Sequence, residues 1–285
     1  MNWYKKAGLI MPDPTMVQWM AKQIEPYVQT LVTNKKIRDL KNEISAIKKD
    51  ALWQPVHKNP DALISLYQSK INKLMSIPKV TFPAVMDNPE GIMIRKVPQN
   101  IIPENLRKLM RASGIKHIQL VMQYRLPIAA GNYYRDYDEN GIAVVVDLLK
   151  IARSDDPDRR AIELLSHELT HNIQHLMSKA GYNYGHPSKS IATPEYNVEE
   201  YAESSPDMSK EELNVYHSLL DTEFYPRLTN IAVSLKHLKE SNPNADIGWF
   251  KNFINQSAWL NILKEHAIDK YHKAVNELLK VFQTN

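Results

Sequence analysis

The sequence has no cysteine among its 285 residues. Because disulfides, cysteine-ligated zinc sites and thiol nucleophiles all need a sulfhydryl group, this absence excludes each of them. Long apolar runs are also missing: no stretch approaches the roughly 20 residues that cross a bilayer, and residues 1–14 lack the apolar core of a signal peptide. We therefore expect a soluble, cytoplasmic protein without a membrane partner.

The chain also lacks a large excess of positive or negative charge. The 36 lysines and arginines outnumber the 32 acidic residues only slightly, for a formal net charge of +4. The basic residues between Lys35 and Lys49 are interleaved with acidic ones, which is typical of a solvated helix face. The composition therefore argues against a nucleic acid as partner. Hydrophobic residues make up 43% of the chain, which is normal for a globular protein.

The first 77 residues are predicted to form an N-terminal helical region. Apolar residues recur at spacings of three and four from Val17 to Leu31 and again from Ile37 to Ile47, which predicts two amphipathic helices. A third helix is expected from Asp61 to Met75, after an Asn-Pro stop signal. The composition changes beyond this helix, so we predict a second domain over residues 78–285.

A small mixed β-sheet is predicted within residues 79–147. The run from Ile142 to Val146 is apolar at every position, as expected for a strand that helices cover on at least one side. Asn140-Gly141 precedes this run and is the strongest short hairpin signal in the chain. A capped helix is expected over residues 156–180, and further helices over 209–283. This order of helices, sheet and helices predicts an α+β fold.

The stretch SHELTHNIQH, residues 166–175, contains an H-E-x-x-H motif. His167 and His171 lie four residues apart on the predicted helix, so both imidazoles project from one face, one turn apart. That spacing suits two ligands of one tetrahedral Zn²⁺ ion. Glu168 would not bind the metal, but it lies where it can take the proton of an activated water molecule. The motif therefore predicts zinc-dependent hydrolysis.

The region from Lys116 to Gln174 resembles the N-terminal half of the zincin metallopeptidases. It carries the order of elements that is usual there: a strand, a hairpin, an edge strand that can bind an extended substrate (Ile142–Asp147), and the motif helix. The resemblance implies that His167 and His171 are zinc ligands, that Glu168 is the general base, and that the substrate is a protein or peptide. The regions before and after it resemble no named peptidase family.

A catalytic zinc needs a third protein ligand. Residue 177 is Met, where the extended motif of the metzincins has its third histidine, so a glutamate on a later helix is expected, as in the gluzincins. Glu223 opens a strongly amphipathic helix and is favoured, because a packed helix holds a ligand better than an acidic loop does. Glu199 is the alternative third ligand, since Ala202 three residues later would allow close packing. His217 is a weaker candidate.

Three further side chains are expected to support the site rather than to bind the metal. His175 lies eight residues after His167, about 12 Å along a helix, which is too far for both to bind one ion. We expect His175 beside the ligands or on the surface. Tyr225 and Tyr184 are candidates for stabilising the oxyanion that develops on the substrate.

The leading functional hypothesis is a zinc metallopeptidase, a hydrolase of peptide bonds. The alternative is a non-catalytic structural or interaction protein, for example a virion-associated one, that retains a vestigial zincin fold. The intact Glu168 argues against this alternative, because a protein that no longer catalyses the reaction can lose its general base and still fold.

Overall fold

A computed structural model describes most of the chain and gives a mainly helical protein with one small sheet. The described residues are 12–53, 59–81, 93–124, 131–134, 140–181, 209, 215, 218–219 and 221–283. The helices in them are α1 Pro14–Trp53, α2 Pro60–Met75, α3 Glu104–Ala112, α4 Leu148–Ala152, α5 Pro157–Lys179, α6 Asp221–Ser241, α7 Ile247–Gln256, α8 Ala258–His266 and α9 Ile268–Gln283. The strands are β1 Met93–Lys96, β2 His117–Gln123, β3 Gly131–Tyr134 and β4 Gly141–Asp147. This combination confirms the α+β prediction.

The four strands form one mixed sheet in the order β1-β2-β4-β3. β1 pairs antiparallel with β2, β2 pairs parallel with β4, and β3 pairs antiparallel with β4. The prediction that Ile142–Asp147 forms the edge strand is therefore wrong, because β4 lies between two neighbours, and among the described strands β3 is at the edge on that side. Every residue of β4 is buried because both faces of the strand are covered: Ile142, Val144 and Val146 belong to the main apolar core, whereas Ala143 and Val145 belong to a smaller cluster with Val121 of β2.

Asn140-Gly141 does not form the tight hairpin turn that its sequence predicts. β3 ends at Tyr134, which pairs with Ala143, so the connection between the two antiparallel strands is longer than two residues. Gly141 is instead the first residue of β4 and pairs with His117 of β2. A Cβ atom at Gly141 would lie 2.5 Å from Nε2 of His117, so the close approach of that ring explains why glycine stands there.

α1 is one continuous helix of 40 residues where the sequence predicts two. Neither Gly nor Pro lies between Leu31 and Ile37, so nothing breaks the helix there. The first half of α1 packs with α4 and α5 and contributes Met20 and Ile24 to the main apolar core, which includes the sheet. Its second half packs against α2 through a small separate cluster. The division into domains at 77/78 stays a prediction, although residues on both sides of it share this core.

α5 carries the H-E-x-x-H motif through the main core. Asp156 caps this helix by accepting a hydrogen bond from the backbone N–H of Arg159, Pro157 occupies its first position, and Gly181 follows its end with a φ of 82°. These signals bear out the helix predicted over residues 156–180 to within one residue at each end. One side of α5 packs against the sheet and another against α6. The residues of α5 in the main core include Ala161, Leu165, Leu169 and Leu176.

The helices α6 to α9 form a second apolar cluster that also takes in the C-terminal turns of α5. α6 is described from Asp221 onward, so Glu223 lies on a helix as predicted. Because α6 packs on both α5 and α9, its position relative to the motif helix is fixed from two sides. This arrangement decides which carboxylate faces the histidines.

Candidate metal centre

The two histidines of the motif lie next to each other on α5. Their Nε2 atoms are 3.2 Å apart, and their rings meet edge to face with centroids separated by 4.8 Å. Only 18% of the His167 side chain and 10% of the His171 side chain are exposed. The one-turn spacing read from the sequence therefore brings both imidazoles to a single, largely buried point.

Glu223 reaches this point from α6. Its Oε1 lies 3.2 Å from Nε2 of His171, its Oε2 lies 3.6 Å from Nε2 of His167, and 8% of its side chain is exposed. The ligand atoms of these three residues all lie within 4.8 Å of one another, and the described residues contain no other such group. Of the predicted third ligands, Glu223 is thus the one that the structure brings to the histidines.

The spacing of these donor atoms fits a small ion. Ligands that lie 2.0–2.1 Å from a tetrahedral metal are about 3.3 Å from one another. The two imidazole nitrogens, 3.2 Å apart, match that separation. Glu223 approaches each of them with a different oxygen, Oε1 at 3.2 Å from His171 and Oε2 at 3.6 Å from His167, and with one ligand atom per residue the three atoms lie within 4.8 Å of one another. Two imidazoles and one carboxylate, with no thiolate, are also a donor set that zinc accepts in catalytic sites.

Glu168 is buried beside this cluster, with 5% of the residue exposed. Burial raises the pKa of its carboxyl group to about 7, and the nearby Glu223 carboxylate adds to the rise, while the His171 and Arg160 charges oppose it. A carboxyl group with that pKa can both take up and release a proton near neutral pH. Glu168 therefore has the acid–base properties that its predicted role needs.

The two histidine pKa values move in opposite directions. Burial lowers the pKa of His167 to about 3, against the opposing attraction of Glu223. Burial also lowers the pKa of His171, but the charge of Glu223, its hydrogen bond and the charge of Glu168 together outweigh this and raise the pKa. His167 is thus neutral at ordinary pH, which is the protonation state that a metal ligand needs.

Asn172 joins the motif helix to the sheet. Its Nδ2 donates to the backbone carbonyls of Glu168, at 2.9 Å, and of Ala143 in β4, at 3.4 Å. The side chain is 1% exposed. Because Asn172 directly follows His171, this bond between α5 and β4 fixes the height of the motif helix above the sheet.

The remaining predicted site residues divide into two groups. His175 is 2% exposed and so lies in the interior rather than on the surface. The hydroxyl oxygen of Tyr225 accepts a hydrogen bond of 2.8 Å from Nζ of Lys273 in α9, and its ring packs among the C-terminal helices. The role of Tyr225 in stabilising an oxyanion stays a prediction. Glu199, His217 and Tyr184 lie outside the described residues.

Arg227 is a member of the site that the sequence analysis missed. Its Nε lies 3.4 Å from Oε2 of Glu223, and 25% of its side chain is exposed. The four-residue separation of Glu223 and Arg227 on a helix was the signal that could have indicated this pairing.

Comparison of the chain with family models, curated proteins and solved structures finds no match in any of the three. The resemblance to zincins accordingly stays a prediction that depends on the motif, and the fold described here is established only as α+β.

Proposed function

We propose that this chain is a zinc-dependent metallopeptidase that hydrolyses peptide bonds in a protein or peptide substrate. The observation that carries the proposal is the meeting of His167 and His171 from α5 with Glu223 from α6, where one ligand atom of each residue lies within 4.8 Å of the others. Three protein ligands leave the fourth tetrahedral position for water or substrate, which distinguishes catalytic zinc sites from closed structural ones.

The chemistry divides between the metal and Glu168. When bound by the three ligands, Zn²⁺ supplies Lewis acidity, which lowers the pKa of water and polarises a carbonyl group. Glu168 accepts the proton of the attacking water and then delivers it to the amine nitrogen of the breaking amide bond. In the metal-free chain burial raises the pKa of Glu168 to about 7, and a bound Zn²⁺ would lower it, which favours the carboxylate form that accepts the proton.

Strand β3 offers a way to hold an extended substrate. It is an edge strand of the sheet, and within the described part of the chain its outer side pairs with no other strand. β3 also contacts α5, the helix that carries the histidines. A peptide that added to this edge would bind through its own backbone, which makes β3 the candidate binding strand in place of the interior strand β4.

The proposal is tested by digesting a peptide library with zinc-loaded wild type and with the Glu168→Gln variant. Glutamine keeps the size of the side chain but cannot accept the proton, so we expect the variant to retain zinc and to lose cleavage by at least 100-fold, in line with the usual contribution of a general base of about 10²–10⁴. Zinc binding by wild type with no cleavage of any peptide would instead favour the non-catalytic alternative.

A further inference from the structure

The two carboxylate oxygens of Glu223 have different partners. Oε1 faces His171, at 3.2 Å, whereas Oε2 lies 3.4 Å from Nε of Arg227 and 3.6 Å from His167. Arg227 follows Glu223 by one turn on α6, so the guanidinium group approaches the carboxylate from its own helix while the imidazoles approach from α5. The carboxylate is thus held between two helices.

We propose that Arg227 is a positioning residue for the metal centre, which it serves by fixing the orientation of the Glu223 carboxylate. This inference rests on the proposed function, since it concerns the same site. A guanidinium group forms strong charge-assisted hydrogen bonds with a carboxylate and keeps its charge at every accessible pH. A ligand carboxylate that is already oriented loses less rotational freedom when it binds a metal.

The surroundings separate this pair from an ordinary surface salt bridge. Exposed ion pairs one helical turn apart contribute little because water solvates both partners. Glu223, by contrast, is 8% exposed and faces two imidazoles, so few water molecules can replace the guanidinium group. Partners of this kind, which hydrogen-bond a metal ligand, typically change metal affinity by about 10–100-fold when they are removed.

An electrostatic role and a positioning role of Arg227 predict opposite changes in zinc affinity when the residue is replaced. A guanidinium group close to a divalent cation repels it, so a purely electrostatic role predicts that removal of the charge tightens metal binding. A positioning role predicts weaker binding, because the carboxylate loses its fixed orientation. The sign of the change therefore distinguishes the two roles.

The experiment measures zinc dissociation constants by competition with a chromophoric chelator, on the full chain. We expect Arg227→Gln to weaken zinc binding by about 10–100-fold and Arg227→Lys, which keeps the charge and a donor, to restore part of the loss. Arg107→Gln is the matched control, because Arg107 pairs with Glu104 on α3 and is 34% exposed. The zinc affinity of the Arg107→Gln variant should equal that of wild type.

A double-mutant comparison tests whether Arg227 acts through Glu223. In the Glu223→Ala background the two histidines alone should hold zinc too weakly to keep it through purification. Arg227→Gln should leave this weak residual affinity, measured by titration with added zinc, unchanged. The visible spectrum of the cobalt-substituted protein gives a second readout, since cobalt bands respond to ligand geometry and the Arg227→Gln spectrum should differ from that of wild type.

The inference is overturned if Arg227→Gln binds zinc as tightly as wild type or more tightly, or if it weakens binding equally when Glu223 is already alanine. These outcomes leave the zinc site itself intact. A wild-type protein that binds no zinc would instead overturn the proposed function, and the role of Arg227 with it. Thermal unfolding of the metal-free variants identifies any that fail to fold, and Arg227→Lys then carries the test.

Discussion

Glu163 and Ser234 join the two helices that supply the metal ligands. The Ser234 hydroxyl on α6 donates a hydrogen bond to Oε1 of Glu163 on α5, and the same oxygen accepts from Nε of Arg159 at 2.7 Å. Glu163 precedes His167 by one helical turn. The bond therefore fixes the approach of α6 to α5 one turn of α5 before His167, and about three turns of α6 beyond Glu223.

Removal of this bond should destabilise the protein. Ser234→Ala leaves a carboxylate that is only 13% exposed with one partner fewer, and hydrogen bonds to charged groups contribute about 1.5–3 kcal/mol. We expect the free energy of unfolding in urea to fall by about 2 kcal/mol. Ser241→Ala is the control, because the exposed Ser241 hydroxyl bonds only within α6, to the carbonyl of His237. Equal losses in both variants would contradict the interhelical role.

Asn172 should tolerate an apolar substitution better than a charged one. Its Nδ2 bonds to Glu168 and to Ala143, while its Oδ1 has no hydrogen-bond partner in the described structure. Asn172→Asp replaces the donor by an acid in a site that is 1% exposed, and we expect a loss of about 2–4 kcal/mol in the free energy of unfolding. Asn172→Leu should cost less, and the reverse order in urea denaturation would show that Asn172 is not buried as described.

The free energy of unfolding of the metal-free protein should depend on pH through the titration of Glu168. Its carboxyl pKa is raised by burial to about 7 in the folded state and returns to 4.5 on unfolding. Between these pH values the folded state binds more protons than the unfolded state, so this contribution to stability is lost as the pH rises. Glu168→Gln does not titrate, and its free energy of unfolding should gain about 2 kcal/mol on that of wild type from pH 4.5 to 7. A difference that stays constant between urea denaturations at these two pH values would contradict the shift.

Gly141 should be replaceable only when His117 is changed as well. A Cβ atom at position 141 would lie 2.5 Å from the His117 ring, so Gly141→Ala forces β2 and β4 apart or displaces the ring. Such overpacking costs about 1–3 kcal/mol. We expect thermal unfolding to show that His117→Ser restores most of the stability lost in Gly141→Ala. Simple additivity of the two substitutions would mean that the ring does not cause the constraint.

The parts of the site that were predictable are those encoded locally. The neighbouring positions of His167 and His171 follow from helical spacing, and the ends of α5 follow from Asp156 and Gly181. No local signal places Glu223 at the site, because a glutamate 52 positions after His171 meets it only through the packing of α6 on α5. Helix-to-helix packing depends on apolar surfaces along the whole chain, and a short motif does not encode it.

The order of strands in the sheet was not predictable from local sequence patterns either. The apolar run at Ile142–Val146 identifies a buried strand, but the order of strands depends on pairing between distant segments. β2 pairs parallel with β4, and this long-range pairing moves β4 away from the edge. The tight turn predicted at Asn140-Gly141 was wrong for the same reason, since Gly141 serves the contact with His117 instead.

The central claim is that His167, His171 and Glu223 bind one zinc ion. The most direct measurement is the metal content, by mass spectrometry, of protein purified without an affinity metal column, for wild type and for His167→Ala, Glu223→Ala and Glu199→Ala. We expect about one zinc per chain in wild type and in Glu199→Ala, and its loss in His167→Ala and Glu223→Ala, because a catalytic zinc site holds three protein ligands. Wild type that binds no zinc even when it is supplied would contradict the account, and loss of zinc in Glu199→Ala but not in Glu223→Ala would assign the third ligand to Glu199.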